Sequence, residues 1–154
     1  MILVPKNQYT DFIEKKLNKL QLKNYKIFKY NPDPKILTGE IEVLTRYSQR
    51  KKNLEIKKKM FEDKEDEQSK RTMKKLEQKY TIGDVNFDSV IIIDLGSSLK
   101  SVLTSLIFTD VSQEKVLFTT LNQWFDESIF YENTVKSLYY PSVNYREFKK
   151  YKDN

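Results

Sequence analysis

The segment FDSVIIIDLGSSLKSVLTSL, Phe87 to Leu106, holds the residues best placed to do chemistry. A run of β-branched residues ends at Asp94, and Gly96, Ser97 and Ser98 follow just before a helical pattern. A carboxylate at a strand end can accept a phosphoryl group. Amide groups at a glycine-led helix start can face an anion, because orphan N–H groups and the helix dipole both favour negative charge there. Each chemistry needs partners that this sequence does not supply. One class of phosphatase carries a second aspartate two residues on, where Gly96 stands. A phosphate-accepting receiver domain carries an acidic pair after an early strand, and the loop after Val4 reads Pro-Lys-Asn. No GxxxxGK[ST] or GxGxxG stretch occurs, and the whole chain has three glycines. The structural reading is therefore preferred: Gly96 permits the turn, and Ser97 or Ser98 caps the helix.

The chain has no histidine and no cysteine. No Ser-His-Asp or Cys-His nucleophile system can be assembled from it. The usual zinc ligands are missing too. A general acid or base would have to be a carboxylate, a lysine or a tyrosine. We expect no cofactor and no metal, and these absences narrow the possible chemistry. A phosphatase-like enzyme using Asp94 stands as the alternative of another class.

The elements that would position Asp94 can be read from periodicity. Ile2 to Val4 forms a short buried strand ended by Pro5, and Asn7 to Thr10 offers helix caps. Tyr9, Phe12, Ile13, Leu17 and Leu20 then fall at helical spacing up to Asn24. Tyr25 to Tyr30 alternates as a second strand, and Asn31-Pro32-Asp33-Pro34 breaks the chain. From about 38 to 80 runs a long polar, charged stretch read as two helices with a break near Asp63 to Ser69, too polar to bury much surface and so projecting from the domain. Val90 to Ile93, Lys115 to Thr119 and Lys136 to Tyr140 read as three more strands. Between them lie the helix after Gly96 and a short helix over Asp126 to Tyr131, and Asn144 caps a last helix with Tyr145, Phe148 and Lys149 along it.

This order predicts one α/β domain over residues 1–154: a three-layer parallel sheet of about five strands with a long charged helical insertion after the second strand. Ligands meet such sheets beyond the carboxyl ends of the strands. Tyr9, Ser97, Ser98, Asn122 and Trp124 fall in or near those loops and are the candidates for a binding rim.

Charge is unevenly placed. Arg46 to Lys79 contains thirteen basic and seven acidic residues, a net of +6, which leaves fifteen of each sign elsewhere. All but four of the basic residues are lysine. Arginine is the usual residue for bidentate phosphate and base contacts, so no nucleic-acid partner is expected. No apolar run approaches the ~20 residues needed to cross a bilayer, so no transmembrane segment is expected. Neither a basic leader nor a cleavage site follows Met1, so no signal peptide is expected.

The succession VPKNQYTDFIEKKLNKL, KYNPDP, FDSVIIIDLGSSLKSVLTSLIF, VLFTTLNQWFDESI and VKSLYYPSVNYREFKKY resembles the second lobe of type I periplasmic binding proteins. Within them it is most similar to the penicillin-binding-protein activator lipoproteins, which are leucine-binding-protein-like. Pro5, Asn7 and Tyr9 match the first turn of that lobe, and Tyr30, Asn31 and Pro32 the segment after its second strand. Phe87, Asp88 and Asp94 to Leu99 match the central strand and helix; Thr120, Trp124, Asp126 and the strand Lys136 to Pro141 match the last two motifs. The resemblance implies a non-enzymatic protein of the periplasm, an outer-membrane lipoprotein in its full-length form. This chain would then lack the first lobe and the signal. It implies contact with a peptidoglycan synthase, a penicillin-binding protein, as partner. The alternative is the substrate-binding component of a branched-chain amino-acid ABC transporter, with a small amino-acid-like ligand. Thr10 and Thr119 stand where the family has glycine, and the Lys136 strand lacks its glycine. Those Cβ atoms weigh against a small ligand at the corresponding loops.

Overall fold

The computed structural model describes residues 1–121 and 135–141. The element order is β1 (Ile2–Pro5), α1 (Thr10–Lys19), β2 (Ile27–Tyr30), α2 (Pro34–Leu44), α3 (Tyr47–Glu62), α4 (Glu67–Glu77), β3 (Ser89–Ile92), α5 (Gly96–Phe108) and β4 (Leu117–Thr120). The four strands form one parallel sheet in the order β2-β1-β3-β4. The chain therefore moves one way from β1 to β2 and the other way from β2 past β1 to β3 and β4. The reversal lies between β1 and β3, where an open parallel sheet leaves a crevice at its carboxyl edge.

Strand register explains the two faces. Ile2 pairs with both Ile27 and Ile91, so these three point to one side. Ile2 and Val4 pack there with Leu17 and Ile13 of α1. Leu3, Tyr30, Val90, Ile92 and Phe118 point to the other side, under Leu37 and Ile41 of α2 and Leu99, Val102, Leu103 and Leu106 of α5. That second face holds the main core. Each such side chain, fully buried, contributes roughly 1.5–3 kcal/mol. The first face is covered over β1, but Ile91 and Leu117 remain 37% and 47% exposed.

Several expectations need correction. The sheet has four strands among the described residues, not five. The Lys136 to Tyr140 segment supplies one parallel bridge, Thr119 to Tyr139. Two bonds make it: the Thr120 amide donates to the Tyr139 carbonyl and the Tyr139 amide to that of Phe118. Asn144 and the helices over Asp126 to Tyr131 and Tyr145 to Lys149 lie outside the described residues. The first helix ends at Lys19, not Asn24: the Leu20 amide bonds the Leu17 carbonyl, and Gln21 turns left-handed at φ +48°.

The 38–80 region is three helices. The first, α2, begins at Pro34 because proline is well placed there: its missing N–H is one the first turn leaves unpaired anyway. Asp33 caps it by accepting from the Lys35 amide at 3.0 Å. Leu37 and Ile41 then join the main core, so α2 is a crossover layer and not part of a projecting arm. Only α3 and α4 remain as a charged hairpin, joined over residues 63–66; the expected break ran on to Ser69, which is the third residue of α4. Leu54, Ser69 and Leu76 are its buried residues beyond the root.

Candidate functional site

Because all four strands are parallel, β1 and β3 deliver their trailing turns to the same edge. After β1, Lys6 and Asn7 lead to Tyr9, whose amide bonds Asn7 Oδ1 at 2.9 Å. The Thr10 hydroxyl donates back to the Pro5 carbonyl at 2.8 Å and fixes the turn. Tyr9 stands 59% exposed at the start of α1. After β3, Asp94 and Leu95 lead to Gly96, whose φ of +55° is a conformation that suits glycine.

The chemistry at this edge centres on Asp94. The hydroxyls of Tyr30 and Ser98 both donate to its Oδ2, and the Leu95 amide donates to Oδ1 at 2.8 Å. One carboxylate thus joins β2, the end of β3 and the first turn of α5. Tyr30 is fully buried; burial first, and then its bond to Asp94, push its hydroxyl well above the ordinary tyrosine value. A few residues away, Glu40 of α2 accepts from Lys6 Nζ at 2.8 Å and from the Asn31 amide at 2.6 Å. Burial alone would raise the Glu40 carboxyl, but these donors and the Lys6 charge outweigh it and hold the group below its ordinary value. Thr120, at the end of β4, sends its hydroxyl to the Ile92 carbonyl at 2.9 Å.

Of the expected rim, Tyr9 lies on the turn after β1, and Ser97 and Ser98 lie in the first turn of α5 after β3. Asn122 and Trp124 lie outside the described residues. The capping role expected of Ser97 or Ser98 is not found. Leu95 is the N-cap, with no side-chain cap, and both serines lie inside the first turn. Ser98 bonds Asp94 instead, four residues back. Ser97 stays exposed. The turns at this edge also expose Tyr9, Leu95 at 39% and Leu121 at 38%, beside the Lys6–Glu40 pair. Among the described residues no group of three or more Asp, Glu, His or Cys side chains could hold a metal. No described helix is long and apolar enough to cross a membrane.

A second polar centre sits at the amino edge, and sequence reasoning missed it. Arg50 of α3 is buried at 7% exposure. Its Nε donates to the Gly83 carbonyl at 2.9 Å, one terminal nitrogen to the Thr109 carbonyl at 3.0 Å, and the other to Thr81 Oγ1 at 2.9 Å and the Asp110 carbonyl at 2.7 Å. Burial lowers its pKa, opposed by Asp110, Asp84 and Tyr47. The available signal was small: Arg50 is one of four arginines in a lysine-rich chain. A cavity of about 440 Å³ opens beside it, lined by Lys26, Arg50, Asp84, Phe87, Asp88 and Lys115 among others. Three of its charged groups are engaged within the protein. Lys115 pairs with Asp84 at 2.8 Å, and Arg50 spends its donors on acceptors of the fold. The cavity is thus a gap at the foot of the α3–α4 hairpin, and the carboxyl edge is the better candidate surface.

Comparison with known protein families, curated proteins and solved structures found no match to this chain.

Proposed function

We propose that this chain is a non-enzymatic docking lobe of the penicillin-binding-protein activator kind, and that its carboxyl edge meets a peptidoglycan synthase. The observation that carries the reading is the state of Asp94. Its two oxygens are taken up by two hydroxyls and an amide, which makes it a fastening for three elements and leaves it poorly disposed to attack phosphorus. Tyr9, Leu95 and Leu121 are exposed on the turns of the same edge. Aromatic and leucine side chains gathered at one rigid edge are what a protein surface offers to another. The order of the five sequence motifs supplies the kind of partner.

The test is direct binding of the purified chain to the soluble domain of a penicillin-binding peptidoglycan synthase. Micromolar affinity, about −8 kcal/mol, is expected, and the double variant Tyr9→Asp, Leu95→Asp should weaken it at least about tenfold. Binding that ignores this double variant would move the contact elsewhere on the lobe. Calorimetric binding of a free branched-chain amino acid with no affinity for the synthase would replace the reading with the transporter one. Phosphate release lost in Asp94→Asn would replace it with the enzyme.

A further inference from the structure

The α3–α4 hairpin leaves the domain at the amino edge, away from the carboxyl edge, and its charge is sorted along its length. Residues 46–61 carry seven basic side chains and one acidic. Residues 62–69, at the tip, carry one basic and five acidic. Residues 70–79 carry five basic and one acidic. The root and shaft are strongly positive and the tip is negative.

Helix electrostatics do not account for this order in α3. A helix favours acidic residues at its N-terminus and basic ones at its C-terminus. The first turn of α3 has no acidic residue, and Arg50, Lys51 and Lys52 follow at once, while Glu62 and Asp63 crowd its C-terminal end. Contacts within the chain do not account for it either. Asp66 caps α4 at the Ser69 amide, and Glu67 pairs with Arg71 at 3.6 Å. Among the described residues Glu62, Asp63 and Glu65 have no such partner. The same hairpin exposes two apolar side chains one turn apart on α3, Ile56 at 44% and Met60 at 62%. Lys52 and Lys59 flank them on the same outward face, at helical spacings of four and three from Ile56.

We infer that the hairpin is a self-association surface, and that its occupant is the hairpin of a second copy of this chain lying antiparallel to it. The charge order decides the occupant. A polyanion would suit the shaft but be repelled by the tip. An antiparallel copy sets each negative tip against the other's positive root and does so twice, as a two-fold interface requires. A two-fold axis near Ile56, the middle of α3, brings Ile56 against its counterpart. It also sets residue 62 opposite residue 50 and so brings Glu62 and Asp63 within about one turn of Lys51 and Lys52 of the second copy. The apolar centre and the charged ends then divide the work: the centre supplies burial, and the ends fix direction and register.

The experiment is sedimentation velocity of the full chain with charge variants. Wild type should dimerise, and raising salt from about 0.05 to 0.5 M should weaken the dimer on the order of tenfold, because exposed charge pairs are screened. The tip variant Glu62→Lys, Asp63→Lys, Glu65→Lys should be monomeric. The root variant Lys51→Glu, Lys52→Glu, Lys74→Glu, Lys75→Glu should be monomeric as well. Mixed one to one, the two variants should form a heterodimer, the result that no polyanion-binding surface would give. Circular dichroism should show both variants as helical as wild type. A wild type that stays monomeric at low salt and high concentration overturns the inference, whatever the variants do. So does a dimer indifferent to salt, or a mixture of variants that stays monomeric. Tighter binding of DNA or anionic vesicles by the tip variant, with no self-association of wild type, would assign the shaft to a polyanion instead.

Discussion

Asp94 and Arg50 are charges drawn into the fold at opposite edges of one sheet, and they are satisfied in opposite ways. Asp94 gathers side-chain hydroxyls and one neighbouring amide. Arg50 gathers three backbone carbonyls and a threonine, all between 31 and 60 residues away in sequence. Asp94 locks the start of α5 to β2 and β3, the elements that build the carboxyl edge. Arg50 locks the hairpin root to the segment before β3 and the turn after α5. A carboxylate accepts from a few donors and can share them with solvent at its half-exposed rim. A guanidinium has five donors in a fixed fork, so it can hold several carbonyls at once. The amino edge should therefore depend more on Arg50 than the carboxyl edge depends on Asp94.

The largest effect expected is at Arg50. Arg50→Met keeps most of the apolar stem and removes every donor, leaving Gly83, Thr109 and Asp110 carbonyls short of a partner. We expect a loss of about 3 kcal/mol in urea unfolding. Arg50→Lys should recover less than half of it, since an ammonium cannot reproduce the fork. A loss under about 1 kcal/mol would mean that water replaces the guanidinium easily, and the contrast between the two edges would vanish. Asp94→Ala should cost less, about 2 kcal/mol, by leaving the Tyr30 and Ser98 hydroxyls without their acceptor. If Asp94→Ala proved the more damaging of the two, the ranking of the edges would reverse.

The same contrast explains what could be read in the sequence. Asp94 announced itself because its chemistry is local: a β-branched strand, an aspartate, a glycine and a serine four residues on. The parallel sheet and its carboxyl edge followed from the same local patterns. The role of the serines did not, because a carboxylate one turn earlier competes for a hydroxyl that would otherwise cap. Arg50 stayed hidden because its partners are main-chain carbonyls, which every residue has and no sequence pattern marks. Pro34 misled for a related reason. Proline breaks a helix interior but suits its first turn, and only the packing of Leu37 and Ile41 shows which case holds. The α3–α4 hairpin was legible as helices and as charge. Its fastening to the domain was not, since a segment so polar carries almost no apolar periodicity to point inward.

The smallest effect expected comes from Tyr30, and it separates the hydroxyl's contribution from that of the carboxylate. Tyr30→Phe removes one donor and leaves Asp94 with Ser98 and the Leu95 amide, so the loss near neutral pH should be about 1 kcal/mol. Its pH dependence is more informative. Burial and Asp94 raise the Tyr30 hydroxyl above the value of about 10 that it takes in an unfolded chain. Above that pH the unfolded state has released this proton while the folded state retains it, so folding grows less favourable as pH rises. The contribution of neutral Tyr30 is thus fully present below about pH 10 and is lost progressively above it, at up to about 1.4 kcal/mol per pH unit. Groups common to both proteins cancel in the difference. Urea midpoints measured from pH 8 to 11 should show wild type more stable than Tyr30→Phe at the low end, with the gap closing and then reversing as pH rises. Two profiles that stay parallel to pH 11 would place Tyr30 in ordinary contact with solvent, and the carboxyl edge would lose the buried hydroxyl that ties β2 to Asp94.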